Sequence, residues 1–181
     1  MSVAPTIREA ILAAVPSLRA FAISLVHDPQ RADDLVQDTI VRAWTAIDRF
    51  EPGTNLNAWL FTILRNLFYS EFRKKTREVE DPEGTYAATL RTAPDQQSHL
   101  DYEDMRTALA KLRPDQREAL LLVTAEGLSY EEAAAICGTA VGTIKSRVNR
   151  ARQRLAELLG YDQVEEIGPD HVTKAALQPH P

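Results

Sequence analysis

The sequence predicts an all-α protein: two small helical domains joined by a flexible acidic linker. Three observations carry this. Apolar residues recur at spacings of three and four through most of the chain, and strand-like alternation is absent. Glycines number only seven, and turn chemistry is confined to a few points. One stretch, residues 79–97, loses all periodicity and fills with Pro, Gly, Thr, Asp and Glu, dividing the chain in two. At 181 residues and 44% hydrophobic content, the chain is long enough for two small cores and too apolar for wholesale disorder.

The elements follow in order. From about Thr6 to His27, Ile7, Ile11, Leu12, Val15, Leu18, Phe21, Ala22 and Leu25 keep a helical period, and Pro16 is expected to kink or split the run. Asp28-Pro29 reads as a stop and restart, with Asp28 the cap and Pro29 the first helical residue. The second helix is expected to reach about Phe50, with Leu35, Val36, Ile40, Ala43, Trp44 and Ile47 apolar. Glu51-Pro52-Gly53-Thr54-Asn55 is turn chemistry. A third helix is expected from about Leu56 to Arg77, with Leu60, Ile63, Leu64, Leu67 and Phe68 on one face and a basic end. The first domain is thus residues 1–78 and the linker residues 79–97. A fourth helix is expected from about Ser98 to Leu112, and Arg113-Pro114 restarts a fifth to about Ala125. The second domain is residues 98–160, and residues 161–181 form a polar, proline-bearing tail expected to fray.

The richest stretch closes the second domain. Ser129 and Glu132 have capping-box spacing, and Ala133, Ala134 and Ile136 allow a close helix crossing. Gly138 sits where that short helix should stop. A second helix follows, with Ile144, Val148, Ala151 and Leu155 facing inward and Lys145, Arg147, Arg150, Arg152 and Arg154 mostly outward. No acid interrupts them until Glu157. This is the grammar of a helix-turn-helix DNA reader. A solvated basic helix face is the plainer alternative.

Composition narrows the choices. The formal net charge is −5, which argues against a protein that coats nucleic acid non-specifically. The charge is segregated: seven acids stand against Arg91 between Glu80 and Asp104, whereas the reader helix is basic. The one cysteine, Cys137, forms neither an internal disulfide nor a zinc cluster; it reads as a small buried hydrophobe in a reducing, cytoplasmic setting. No signal peptide and no membrane-length apolar run is expected. Catalytic, cofactor and metal sites are expected to be absent. The four histidines are scattered, no glycine-rich phosphate loop exists, and no nucleophile has an evident base.

Two helices of the first domain carry open alternatives. The second, Asp33 to Trp44, is either an amphipathic core helix with an acidic first turn or a helix whose polar face docks another protein. The third interleaves Trp59, Phe61, Arg65, Asn66, Tyr69, Phe72, Arg73 and Lys74. Some of its aromatics belong to the core. Aromatic faces beside cations also suit unstacked single-stranded bases, and Asn55 and Asn57 could hydrogen-bond an extruded base.

Asp33 to Trp44, the helix start Asn57-Ala58-Trp59-Leu60 and Ser129 to Arg154 together resemble regions 2 and 4 of a bacterial extracytoplasmic-function (ECF) sigma factor of the sigma-70 family. The resemblance spans about residues 7–160. Leu112 to Ala119 and Gly142 to Arg147 resemble motifs specific to such factors and their close mimics, and the combination of Asp115 to Leu120, Tyr130 to Gly138 and Val141 to Thr143 is similar to the EcfG subgroup, the general stress sigma factors of alphaproteobacteria. The resemblance implies that the first domain binds core RNA polymerase through Asp33, Asp34, Leu35, Gln37, Asp38, Arg42 and Trp44. It implies minus-ten contacts from Asn55, Asn57, Trp59, Arg65, Asn66, Tyr69, Arg73 and Lys74. It implies minus-thirty-five contacts from Thr143, Lys145, Ser146, Arg147, Arg150 and Arg152. Lys145 or Arg147 is expected at base edges, and Arg150 and Arg152 at phosphates. The implied partners are core polymerase, promoter DNA and a NepR-like anti-sigma factor, with no membrane and no small-molecule substrate. The competing reading is a sigma mimic that sequesters an anti-sigma factor; it has no need of the basic face. A stand-alone repressor would leave residues 7–78 without a role.

Overall fold

The computed structural model describes residues 6–78 and 98–160, and side chains within 6–74 and 104–160. The expected acidic linker and C-terminal tail lie outside the described residues. The chain divides into two compact units, Met1–Thr92 and Ala93–Pro181, and the described residues of both are helical.

Unit 1 holds α1 (Ile7–Val26), α2 (Pro29–Thr45), a single 3-10 turn (Ile47–Arg49) and α3 (Leu56–Glu78). A reciprocal capping box starts α1: the Glu9 N–H donates to Thr6 Oγ1 at 3.3 Å, and the Thr6 N–H donates to Glu9 Oε2 at 2.7 Å. The chain leaves α1 through His27 in the left-handed region (φ 56°), and the Asp28 side chain caps α2 by accepting from the Arg31 N–H at 3.0 Å. Pro29 then occupies the first turn, as its dipeptide signal predicts. Ile11, Leu18, Phe21, Ala32, Leu35, Leu60, Phe61 and Leu64 form the core. Phe21 and Phe61 meet edge to face, their centroids 5.1 Å apart.

Three expectations change here. Pro16 does not split α1, which runs unbroken past it. Its ring lies on the exposed side, and the carbonyl it leaves without a donor belongs to Leu12, itself 56% exposed, so water can replace the bond. The second helix stops at Thr45 rather than near Phe50, because the chain tightens into the 3-10 turn before the Pro-Gly turn. And α1 is long and apolar enough, by length and composition, to cross a membrane, contrary to the expectation that no run approaches that length. In this fold its Ile11, Ala14, Leu18, Phe21 and Ala22 are core residues packed against α2 and α3.

Unit 2 holds α4 (Ser98–Ala110), α5 (Pro114–Thr124), α6 (Tyr130–Cys137) and α7 (Val141–Leu159). α7 packs on all three others, burying Ile144, Val148, Ala151, Leu155 and Ala156. The other side of this core is Met105, Leu109, Leu112, Leu120, Leu121, Leu122 and Ile136. The Arg117 of the Leu112-to-Ala119 motif is buried, and its Nη1 donates to the carbonyls of Leu109 and Ala110 at 3.3 Å each. A cation there satisfies the open carbonyls that end α4 and answers the negative end of its dipole. That gives the motif a structural reason.

Candidate nucleic-acid interface

Local sequence chemistry builds the two-helix reader. Ser129 and Glu132 close a capping box at the start of α6: the Glu132 N–H donates to Ser129 Oγ at 3.0 Å and the Ser129 N–H to Glu132 Oε2 at 2.8 Å. Gly138 ends α6 at φ 63°, a conformation that costs other residues. Its N–H turns back to the Ala134 and Ala135 carbonyls, and α7 begins three residues later.

With its apolar face committed to the core, α7 presents three outward rows at helical spacing. Thr143, Arg147, Arg150 and Arg154 make one row; Lys145, Asn149 and Arg152 make another; Gly142, Ser146 and Gln153 lie between. All six residues expected to contact the minus-thirty-five element fall on these rows. Lys145, Asn149 and Arg150 are exposed, whereas Thr143, Ser146, Arg147 and Arg152 are partly covered. Two cations are held from neighbouring helices. The Lys145 ammonium lies 5.7 Å from the Tyr130 ring centroid on α6, and Arg147 Nε lies 3.3 Å from Asp115 Oδ2 on α5. Asn149 and Gln153, outside the expected contacts, share the outward surface; an amide there can address an adenine edge. Their three-and-four spacing to Lys145 and Ser146 was the available signal.

In unit 1 the residues expected at the minus-ten element also sort by row. Asn55, Trp59, Thr62, Asn66, Tyr69 and Arg73 repeat at four and three along the side of α3 away from Leu60, Phe61 and Leu64. Asn57 and Lys74 lie off this row, both exposed. Four of the residues also have structural work. The Asn55 side chain accepts from the Ala58 N–H at 3.3 Å, capping α3. Trp59 rests on Phe50, centroids 5.3 Å apart. The Arg65 guanidinium sits 4.5 Å from the Tyr69 ring centroid, and Tyr69 meets Phe68 edge to face. Asn55 is therefore a cap before it is a base contact. Phe72 is exposed beside them, a large apolar side chain in water.

The α2 strip divides cleanly. Gln37, Asp34, Asp38, Arg42 and Trp44 are exposed and available to a partner. Leu35 is not: at 3% exposure it belongs to the core, and its inclusion in the docking surface is corrected. Asp33 is exposed but paired, with Arg19 Nε 2.6 Å from its Oδ1 and Arg19 Nη2 3.3 Å from its Oδ2. That pair ties α1 to α2 and raises the Arg19 pKa. Val41, 55% exposed and outside the expected set, lies at the centre of the strip between Asp34, Gln37, Asp38 and Trp44.

These three surfaces sit on units of recognisable type. Residues 11–78 match the family model for Sigma-70 region 2, and residues 102–155 match that for Sigma-70, region 4. This is the two-unit build of a transcription-initiation protein. The chain is 62% identical over 177 residues to the ECF RNA polymerase sigma factor EcfG of Rhodopseudomonas palustris, covering 98% of both. It belongs to the ECF sigma factors, subunits that direct core RNA polymerase to promoters. Among solved structures it is similar to the sigma factor RpoE of Bartonella quintana, crystallised with the anti-sigma factor NepR. The TM-score is 0.76 and the identity 55%, over 86% of this chain and 98% of that one. It also shares its fold, at 20% identity and a TM-score of 0.62, with the PhyR domain of Sphingomonas sp. Fr1 determined with NepR, over 84% of this chain and 88% of that one.

Proposed function

We propose that this sigma factor serves a general stress response, reads its promoters with α3 and α7, and is held in check by a NepR-like anti-sigma factor. The observation that carries the DNA assignment is the outward surface of α7. Its apolar face is wholly used by the core, and what remains is a polar and cationic surface on a capped two-helix frame. Asn149, Ser146 and Arg147 address base edges in the minus-thirty-five element, while Lys145, Arg150 and Arg152 grip phosphates. Trp59, Asn66, Tyr69 and Arg73, with Arg65 behind Tyr69, line the path of the melted minus-ten strand. Asp34, Gln37, Asp38, Val41, Arg42 and Trp44 dock on core polymerase.

The anti-sigma partner rests on the similarity to RpoE, which was crystallised with NepR. The protein carries no chemistry of its own and acts in the cytoplasm, where polymerase is. The fold alone does not separate it from a mimic that merely captures an anti-sigma factor, since the PhyR domain shares that fold. The cationic rows of α7 favour the promoter reader, because a decoy gains nothing from them.

Footprinting of the reconstituted holoenzyme tests the assignment. Protection is expected at an upstream and a downstream element, with the upstream one lost on Asn149→Ala plus Arg150→Ala. Protection of neither element, by a chain that still binds a NepR-like protein, would favour the decoy.

A further inference from the structure

Asp115 belongs to the Leu112-to-Ala119 motif. It stands in the first turn of α5, where an acid suits the helix dipole. Its two oxygens face two cations: Oδ1 lies 3.5 Å from Arg113 Nε, and Oδ2 lies 3.3 Å from Arg147 Nε. The Arg113 side chain is 75% exposed and its pairing is correspondingly weak. The Arg147 side chain is only 25% exposed, so its pairing is the better shielded of the two. Arg150, in the same row of α7, has no ion-pair partner among the described residues.

The point of contact matters. The ion pair reaches Arg147 at the Nε edge of its guanidinium, which restrains that side chain and leaves the end-on fork of Nη1 and Nη2 open. Those two donors form the fork that matches the O6 and N7 acceptors of a guanine edge. We infer that Asp115 is a positioning residue for promoter selection: it pins the Arg147 guanidinium so that its terminal nitrogens meet a base edge, and it touches no DNA itself. The inference rests on reading α7 as the DNA-contacting helix.

Removing the carboxylate has two effects of opposite sign. It takes a negative charge from the surface, which strengthens binding to any DNA. It also frees Arg147, so that a base contact must immobilise a rotamer-rich side chain. The first effect is shared by promoter and random DNA and cancels in their affinity ratio. The second is felt only where Arg147 must adopt one geometry. The ordering cost for one such side chain corresponds to a factor between about 2 and about 10.

The experiment uses holoenzyme reconstituted from core polymerase and the full chain. Competition binding compares a promoter duplex, taken from fragments this holoenzyme transcribes, with a scrambled duplex of equal length and at equal salt. For Asp115→Asn the promoter-to-scrambled ratio is expected to fall between about 2-fold and 10-fold. Asp115→Glu is expected to restore most of it. Asp115→Asn is expected to add nothing to Arg147→Ala. A merely structural Asp115 would weaken both duplexes alike, and an unchanged ratio overturns the inference. So does an equal further loss in the Arg147→Ala background. If Arg147→Ala itself leaves the ratio unchanged, the base-edge assignment on α7 falls and takes the inference with it.

Discussion

The acidic strip on α2 makes a sharp prediction because the structure separates three neighbouring aspartates by task. Asp34 and Asp38 are exposed and have no ion-pair partner among the described residues. Asp33 is bonded to Arg19. Replacing Asp34 or Asp38 by Arg touches no contact within the unit, so stability is expected to change by no more than about 0.5 kcal/mol. Asp33→Arg instead removes a two-point ion pair and sets a cation against Arg19. That pair is about half exposed on both sides, 44% and 53%, so screening limits its worth to about 0.2–1 kcal/mol. For a unit of this size the loss lowers the melting midpoint by about 1–8 °C. Docking responds in the opposite order. A like charge placed across an interface costs several kcal/mol, at least about tenfold in affinity. Asp34→Arg and Asp38→Arg are therefore expected to lose polymerase binding without losing stability. Thermal unfolding of the free chain and competition with unmodified chain for core polymerase read the two quantities separately. Full polymerase affinity in the Asp34→Arg plus Asp38→Arg variant would refute the docking strip. A stability loss at Asp34 or Asp38 equal to that at Asp33 would refute the division of labour.

Three further outcomes are expected. At Gly138 an added Cβ meets nothing within 4 Å, so Gly138→Ala is expected to cost only the backbone penalty at φ 63°, about 1–2 kcal/mol, with Gly138→Asn costing less; hydrogen exchange along α6 measures it, and a larger loss would mean hidden crowding. Asn149→Ala is expected to relax base preference at one position by about 1–3 kcal/mol, whereas Arg150→Ala weakens all sequences alike and reduces the salt slope by about 1; binding to a randomised element across a salt series checks both, and matching profiles for the two variants would contradict the assignment. The hydrogen bonds from the Thr6 backbone and hydroxyl lower the Glu9 pKa, so the capping box stabilises α1 above the ordinary glutamate range and is lost as pH falls through the lowered value. Protection factors in the first turn of α1, with the intrinsic pH dependence of exchange divided out, are expected to fall there in the native chain and to stay flat over that window in Glu9→Ala.

Features set by neighbours along the chain were legible, and those set by neighbours in space were not. The Asp28-Pro29 restart, the Ser129–Glu132 box and the Gly138 stop are short-range chemistry, and each stands where its residues predict. The inward face of α7 followed from its period alone. Pro16 misled because a proline's effect depends on which side of the helix faces water, a tertiary fact. Leu35 looked like part of a docking face because it sits among acids in sequence, while its position on the helix turns it inward. Val41 and Asn149 lie outside the expected sets, although their helical spacing to expected residues places them on the same surfaces. The double duty of Asn55 as cap, and the ties from Asp33 to Arg19 and from Asp115 to Arg147, join groups that only the fold brings together. The span-like composition of α1 was missed for a related reason: polar residues at intervals disguised a run whose average is strongly apolar.

Transcription by purified core RNA polymerase, with and without this chain, on a library of genomic promoter fragments tests the central claim most directly. The account predicts chain-dependent initiation from a defined subset sharing an upstream and a downstream element, abolished by the Asp34→Arg plus Asp38→Arg variant and redirected by Asn149→Ala. No initiation from any fragment, with a folded chain and an active core enzyme, would contradict it.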